Sequence, residues 1–166
     1  RNRMVGKLGV LPWKGLYAVV SLIGFILICW GYRLTRQNPM ILFEPTTFSR
    51  YFAIILMLFV FPLVLAANFP GRIKSISKHP LLAATKIWAF AHLLTNGTLA
   101  DSLLFGSFLV WAIMNRISMK KRSQRPILNA PNSKYNDIIV VIGGIAIYLS
   151  FIFWAHSTLI SVPIYF

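Results

Sequence analysis

Long apolar runs separated by short polar segments dominate the hydrophobic pattern of the chain. An α-helix rises about 1.5 Å per residue, so the ~30 Å hydrocarbon core of a bilayer needs roughly 20 apolar residues. The runs that meet or approach this length predict membrane helices over residues 16–35, 50–69, 81–95, 99–117 and 138–160. Because hydrocarbon offers the backbone no hydrogen-bond partners, and the runs lack the alternation of barrel strands, the expected fold is all-α. We therefore predict a polytopic transmembrane helix bundle with five spans.

Local signals mark several ends of these predicted helices. Pro62 lies inside the second segment and predicts a kink. Pro80 suits the first turn of the third helix, and Asn96-Gly97 is a turn signal. Thr98 followed by Asp101 has the spacing of a capping box at the start of the fourth helix. The third and fourth helices are thus predicted to form a tight hairpin.

The composition agrees with a membrane protein. Hydrophobic residues make up 57% of the chain and charged residues 12%, whereas soluble domains average about 25% charged residues. Too little polar surface is present to coat a soluble core, which excludes an ordinary soluble enzyme, a disordered tail and a fibrous repeat. A lone cysteine, Cys29, excludes an internal disulfide and a CxxC motif. We expect one membrane domain over residues 1–166, surrounded by the lipid bilayer.

The positive charge is distributed unevenly along the chain. Lys and Arg number 17 against three Asp and Glu, for a net charge of +14. Helix alternation places 13 of the basic residues on one face and three on the other, with Lys86 inside the third helix. The positive-inside rule assigns the first face to the cytoplasm. Since the basic residues alternate with spans, they favour a topology signal and contact with anionic lipid head groups, with no nucleic acid as a partner.

Histidines in the membrane helices are the candidates for chemistry, because ionisable groups are costly in hydrocarbon. His92 and His156 are expected at similar depth on different helices. Two imidazoles that face one another across a bundle are the axial ligands that a b-type haem needs. Trp88, one turn before His92, would form a wall for such a flat cofactor. Asp101 and Asn96, at the hairpin turn, are the candidate outer partners of the ligating His92.

Less specific interpretations of the same residues stay open. A histidine near a membrane surface is commonly a hydrogen-bonded packing residue, and polar residues collect at helix ends. His79, at the cytoplasmic mouth of the third helix, is either a loop residue beside lipid head groups or a cofactor residue. Lys86 either extends to the surface or faces a substrate cavity. Asp101 is explained more simply as a helix cap than as a catalytic base.

Several segments resemble the signature of the NnrU family. They read GRIK over residues 71–74, KHPLL over 78–82 and KIWAFAHLLTNG over 86–97, and DSLLFGSF over 101–108 and RIS over 116–118 continue the similarity. The resemblance covers nearly the whole chain, and its most specific part is the KHP…AHLLxNG run.

This resemblance implies a multi-pass protein of the bacterial inner membrane, linked to the expression or maturation of nitrite and nitric oxide reductases. A plant and cyanobacterial relative, 15-cis-ζ-carotene isomerase, is a membrane enzyme that uses haem b. By this similarity His92 is the first candidate haem ligand, His79 matches the other motif histidine, and His156 matches a position near the family's C-terminal end. Family members usually begin with one more helix, which carries a G-x-H-S-x-R motif, and Arg1 aligns just after it. The chain is therefore expected to be processed or a fragment, with His92 and His156 as the ligand pair.

Three functions follow from these observations. The first is a haem b protein that is accessory to nitrite and nitric oxide respiration or isomerises an apolar substrate. The second is a non-catalytic structural subunit of a membrane respiratory complex, in which the histidines pack. The third is a membrane methyltransferase-like enzyme, since His79-Pro80 after a basic loop is similar to isoprenylcysteine methyltransferases. The last two predicted spans offer few of the acidic and arginine residues that such a cofactor site needs, so this function ranks third.

Overall fold

A computed structural model describes residues 2–120, 129–161 and 164 of the chain. Apart from the connections between elements, the described residues are helical, as the hydrophobic pattern predicts. The chain divides into two compact units, Arg1–Met40 and Ile41–Phe166. Each unit is described by itself below.

The first unit consists of two consecutive helices, α1 (Asn2–Leu8) and α2 (Val10–Thr35). Gly9 separates them with a φ of 83°, a left-handed conformation that glycine adopts without steric cost. α2 has 26 residues and none of them is buried within the unit. A helix that is apolar on all sides and exposes those side chains is typical of a membrane span.

The second unit carries the remaining helices and the candidate site. In chain order its elements are α3 (Thr47–Met57), α4 (Val60–Ala66), α5 (Arg72–Ser77), α6 (Pro80–Thr95), α7 (Leu99–Lys120), α8 (Asn136–Ser150), a π-helical turn (Phe151–Ala155) and α9 (His156–Ile160). α6 packs against α3, α4 and α7, while α4 also packs against α8. The short helix α5 links α4 to α6 and contacts both.

The break between α3 and α4 has a covalent cause. Pro62 lacks a backbone N–H, and its ring would collide with the carbonyl group of Leu58 in a continuous helix. α3 accordingly ends at Met57, and α4 begins at Val60. The helix is therefore interrupted about one turn before Pro62, the residue from which a kink was predicted.

Four segments are long and apolar enough to cross a membrane. They are Val10–Thr35, Thr47–Ala66, Leu99–Lys120 and Asn136–Ile160. α6 forms where the fifth span was predicted but has only 16 residues, about 24 Å of helix, which is shorter than the ~30 Å hydrocarbon core. The prediction of five spans is therefore not confirmed, because this helix is too short to be counted with the others.

Hydrogen bonds between distant segments define one end of the second unit, which we call the basic end. The Asp137 carboxylate accepts hydrogen bonds from the backbone N–H groups of Arg72 (2.9 Å) and Ile73 (3.1 Å). The Asn136 side chain donates to the Pro70 carbonyl oxygen at 2.8 Å. The start of α8 is thus fixed beside the start of α5.

The opposite end, which we call the hairpin end, is built around the turn between α6 and α7. The Gly97 carbonyl oxygen accepts hydrogen bonds from the backbone N–H groups of Leu42 (2.8 Å) and Phe43 (3.2 Å). Ile41 and Thr98 pair in an isolated antiparallel bridge. A side chain at Gly97 would overlap the Phe43 carbonyl group, so only glycine fits this close approach.

The predicted capping box is present at the start of α7. The Thr98 hydroxyl oxygen accepts a hydrogen bond from the backbone N–H of Asp101 at 3.2 Å. The Asp101 carboxylate in turn accepts one from the Thr98 backbone N–H at 3.4 Å and one from the Thr98 hydroxyl at 2.6 Å. This exchange satisfies donors that the first helical turn leaves unpaired, and it confirms the predicted hairpin.

Substitution of two glycines, one in α8 and one in α7, tests how closely α8 packs against α4. A Cβ atom at the buried Gly144 of α8 would lie 2.5 Å from the backbone nitrogen of Pro62, whereas one at Gly106 of α7 meets no described atom within 4 Å. We expect Gly144→Ala to lower the unfolding free energy by about 1–3 kcal/mol, because the Pro62 backbone must move. Thermal unfolding in detergent, followed by circular dichroism, measures this loss.

Gly106→Ala is the matched control for this substitution. Because it replaces glycine in an open helix position, it is expected to leave stability unchanged or raise it by about 0.5–1 kcal/mol. Equal melting temperatures for the two variants would contradict the close contact between α8 and α4.

Candidate functional site

An aromatic cluster surrounds His92 where α6 faces α7. The Trp88 ring centroid lies 5.2 Å from that of His92, one turn away on the same helix. Across the interface, the buried Phe105 ring lies 4.6 Å from the His92 imidazole and 5.1 Å from the Trp88 ring. Phe108 packs edge-on against Trp88 at 5.4 Å. We call His92, Trp88, Phe105 and Phe108 the imidazole cluster.

The imidazole of His92 is oriented by its own helix. Its Nδ1 atom lies 2.9 Å from the carbonyl oxygen of Trp88. A carbonyl oxygen only accepts hydrogen bonds, so the hydrogen bond requires a proton on Nδ1. In the neutral ring the lone pair is then on Nε2, and this is the form in which histidine binds metals.

The residues predicted to act as outer partners of His92 reach it in other ways. The Asp101 carboxylate is buried and bonded to Thr98, and its charge acts on His92 through space. Asn96 contacts His92 through the backbone, where its N–H donates to the His92 carbonyl oxygen at 2.9 Å. The acceptor that fixes the His92 tautomer is therefore the main-chain carbonyl group of Trp88 and not the side chain of Asp101 or Asn96.

His156 lies at the hairpin end, on a different helix from His92. It is partly buried and begins α9, directly after the π-helical turn. π-Helical turns are rare and are found frequently at functional sites. His156 is close enough to His92 for the two imidazoles to interact electrostatically. The structure thus brings the two histidines of the predicted pair into one neighbourhood.

His79 lies apart from this neighbourhood. It precedes the first residue of α6, 13 positions before His92 and about 20 Å from it along the helix axis. Its electrostatic neighbours are Arg116 and Lys78 at the basic end. The structure therefore does not place His79 among the residues around His92, although all three histidines were candidate cofactor residues.

Within the described ranges, no group of three or more His, Cys, Asp or Glu residues lies together in a way that could hold a metal ion. The hairpin end offers two imidazoles from different helices.

The aromatic residues that α7 contributes to this site were not predicted from the sequence, although Asp101 of the same helix was. Phe105 and Phe108 are three residues apart and so share one helix face. Folding the predicted hairpin about Gly97 places residue 105 near residues 88–92, as the observed ring contacts show. The spacing of Phe105 and Phe108 is therefore a signal in the sequence, but it indicates contact with His92 only when the two helices are folded into the hairpin.

The helices and their lengths define the class of the protein, a polytopic helical membrane protein. Comparison with family models gives a match to the family described as NnrU protein over residues 1–164. The chain therefore belongs to the NnrU family, as its motifs predicted. No curated protein and no solved structure matches the chain.

The position of His79 predicts a measurable titration. Partial burial and the positive charges of Arg116 and Lys78 lower the pKa of His79 below its usual value of about 6.5. The unfolded chain then binds the proton more readily than the folded chain. The stability associated with His79 is therefore fully present above about pH 6.5 and is lost as the pH falls through the folded pKa. Histidine NMR of the protein in zwitterionic detergent is expected to show a midpoint below that of free histidine.

Removing the charge of Arg116 tests whether it lowers the pKa of His79. Arg116→Gln is expected to move the His79 midpoint upward, while Lys120→Gln, one turn further along α7, moves it less. A midpoint above that of free histidine in the unsubstituted protein would contradict this account.

Proposed function

We propose that this NnrU-family protein binds haem b in the membrane and that His92 is the ligand on which binding depends. The observation that carries the proposal is the hydrogen bond from the His92 Nδ1–H to the Trp88 carbonyl oxygen. It selects the tautomer in which Nε2 is available to a metal, and it holds the ring within an aromatic cluster.

The residues present fit such a group. A neutral imidazole is a donor that haem iron takes, and His156 is the second residue that would hold the group. Trp88, Phe105 and Phe108 provide apolar and aromatic surface for a flat macrocycle. The buried Asp101 carboxylate favours electron donation by a ligating imidazole through its negative charge.

Haem b, where bound, would supply one-electron redox chemistry. The protein's own residues orient the ligand, hold its proton on Nδ1 and limit the access of water. The buried side chains of Phe105 and Asp101 limit the access of water to His92.

We propose that the haem protein acts as an accessory factor in nitrite and nitric oxide respiration in the bacterial inner membrane. Membership of the NnrU family supports this role. A second candidate is isomerisation of an apolar substrate. It is favoured by the aromatic side chains of Trp88, Phe105 and Phe108 that surround His92, because they offer an apolar molecule a surface to contact.

His92→Gln is the sharpest test of the proposed ligand. A glutamine amide can still donate a hydrogen bond to the Trp88 carbonyl oxygen, but it does not ligate haem as imidazole does. Full-length protein is purified in detergent from haem-replete cells, and its visible spectrum is recorded oxidised and reduced. We expect a b-type Soret and α band in the unsubstituted protein and a loss of roughly tenfold or more in His92→Gln.

His79→Gln is the matched control, since it makes the same change on the same helix about 20 Å away. It is expected to retain the bands. Equal absorbance in His92→Gln and the unsubstituted protein would refute His92 as the ligand. A colourless, helical unsubstituted protein would leave the histidines as packing residues of a structural subunit.

The two candidate roles are separated in cells that lack the protein. Loss of nitric oxide reductase activity, restored by the unsubstituted chain and not by His92→Gln, supports the respiratory role. Accumulation of a cis polyene with normal nitric oxide reduction would instead support the isomerase.

A further inference from the structure

Three rings of the imidazole cluster contact one another in a closed triangle. The His92 and Trp88 centroids lie 5.2 Å apart, and the Phe105 centroid lies 5.1 Å from that of Trp88 and 4.6 Å from that of His92. The shortest side of the triangle thus joins His92 to a residue of the neighbouring helix α7. Among the described residues, the rings that contact the imidazole are those of Trp88 and Phe105.

The hydrogen bond to the Trp88 carbonyl oxygen does not by itself fix the plane of the His92 imidazole. It joins one edge atom of the ring, Nδ1, to its acceptor at 2.9 Å. Hydrogen-bond directions at a carbonyl oxygen are broadly distributed, and so is the torsion of an aromatic ring about its Cβ–Cγ bond. A contact with the face of the ring is needed to restrict this torsion.

Phe105 supplies a contact of this kind. The planes of its ring and of the His92 imidazole meet at 31°, whereas the Trp88 ring meets the imidazole at 49°. At this angle and distance, Phe105 and His92 are close to the offset-stacked arrangement of aromatic pairs. Phe105 exposes only 6% of its surface, so the surrounding side chains leave it little room to move away from the imidazole.

We propose that Phe105 is a positioning residue that fixes the plane of the His92 imidazole, and with it the direction in which Nε2 points. The inference rests on the proposed function, because the direction of Nε2 matters when His92 binds a metal. Trp88 provides the hydrogen-bond acceptor, and Phe105 restricts rotation of the ring. A ligand held in this way needs both a hydrogen bond and packing by its neighbours.

Phe108 offers a matched comparison on the same helix. It lies one turn after Phe105 and packs edge-on against Trp88 at 5.4 Å, but the structure describes no ring contact between Phe108 and His92. Leucine in place of either phenylalanine removes a flat ring and keeps a bulky apolar side chain. Both substitutions remove a ring contact with Trp88, and Phe105→Leu alone also removes the contact with His92.

The first measurement needs no cofactor. Full-length protein with isotopically labelled histidine is purified in detergent before any haem is added, and NMR observes its imidazole N–H groups. His92→Gln identifies the signal of His92. Loss of an aromatic pair raises the population of rotated rings by roughly twofold to tenfold. We expect Phe105→Leu to speed exchange of the His92 Nδ1 proton with water by about threefold or more, and Phe108→Leu by less than about twofold.

The second measurement uses the same variants after haem is added. The electron paramagnetic resonance signal of a ferric haem depends on the orientation of a ligating imidazole plane, so an unrestrained ring broadens the signal. We expect Phe105→Leu to broaden this signal while it keeps the b-type Soret band. Phe108→Leu is expected to keep both the signal width and the band.

The outcomes separate this inference from the proposed function. Equal proton exchange rates in the two leucine variants would overturn Phe105 as a positioning residue, even if the protein binds haem. If the unsubstituted protein takes up no haem but exchange is faster in Phe105→Leu alone, the restraint on His92 stands and the proposed function fails. Far-UV circular dichroism checks the helix content of each variant. Phe105→Met, which also lacks a ring, replaces Phe105→Leu if leucine lowers that content.

Discussion

Close packing of α6 against three neighbours is the constraint on which the rest of the second unit depends. Ala84, Ala89 and Ala91 expose 1% of their surface or less, so the neighbouring helices come close to the α6 backbone at these positions. Apolar side chains gain little by leaving lipid for a helix interface, and association in membranes depends on contact between well-fitted surfaces. Small side chains provide this contact. They let one short helix hold α3, α4 and α7 together.

The positions of the imidazole cluster and of His79 both follow from the placement of this helix. The residues before its first turn, Lys78 and His79, lie at the basic end, and its last turns carry Trp88 and His92 at the hairpin end. A helix too short to be counted as a span thus carries residues at both ends of the second unit and packs against α3, α4 and α7.

The features that could be predicted from the sequence are those that depend on local patterns of residues. The Pro62 break, the Thr98–Asp101 capping box and the α6–α7 hairpin each depend on residues within a few positions of one another. Steric exclusion by proline and the unpaired N–H groups of a helix start act at that range. The presence of the two imidazoles near one end also followed from helix direction alone.

The interactions that could not be predicted join distant parts of the chain. Asp137 binds the backbone of Arg72, 65 residues away, and the Tyr148 hydroxyl donates to the Ile54 carbonyl oxygen at 2.8 Å, 94 residues away. Such pairs depend on which helices become neighbours, and hydrophobic periodicity does not specify this. The acceptor for His92 was missed for another reason, since a carbonyl group is present at every residue and leaves no mark in the sequence.

The π-helical turn at Phe151–Ala155 has a consequence for how His156 is encoded. A wider turn accommodates one more residue than the regular helix, which rotates everything after it by about 100° around the axis. The direction in which His156 points from the helix axis is thus set by the number of residues in the turn before it. Deletion of a single residue from this segment would rotate the imidazole of His156 to a different side of the helix, although the sequence of α8 would be unchanged. Alanine scanning does not detect this dependence, because substitution leaves the number of residues unchanged.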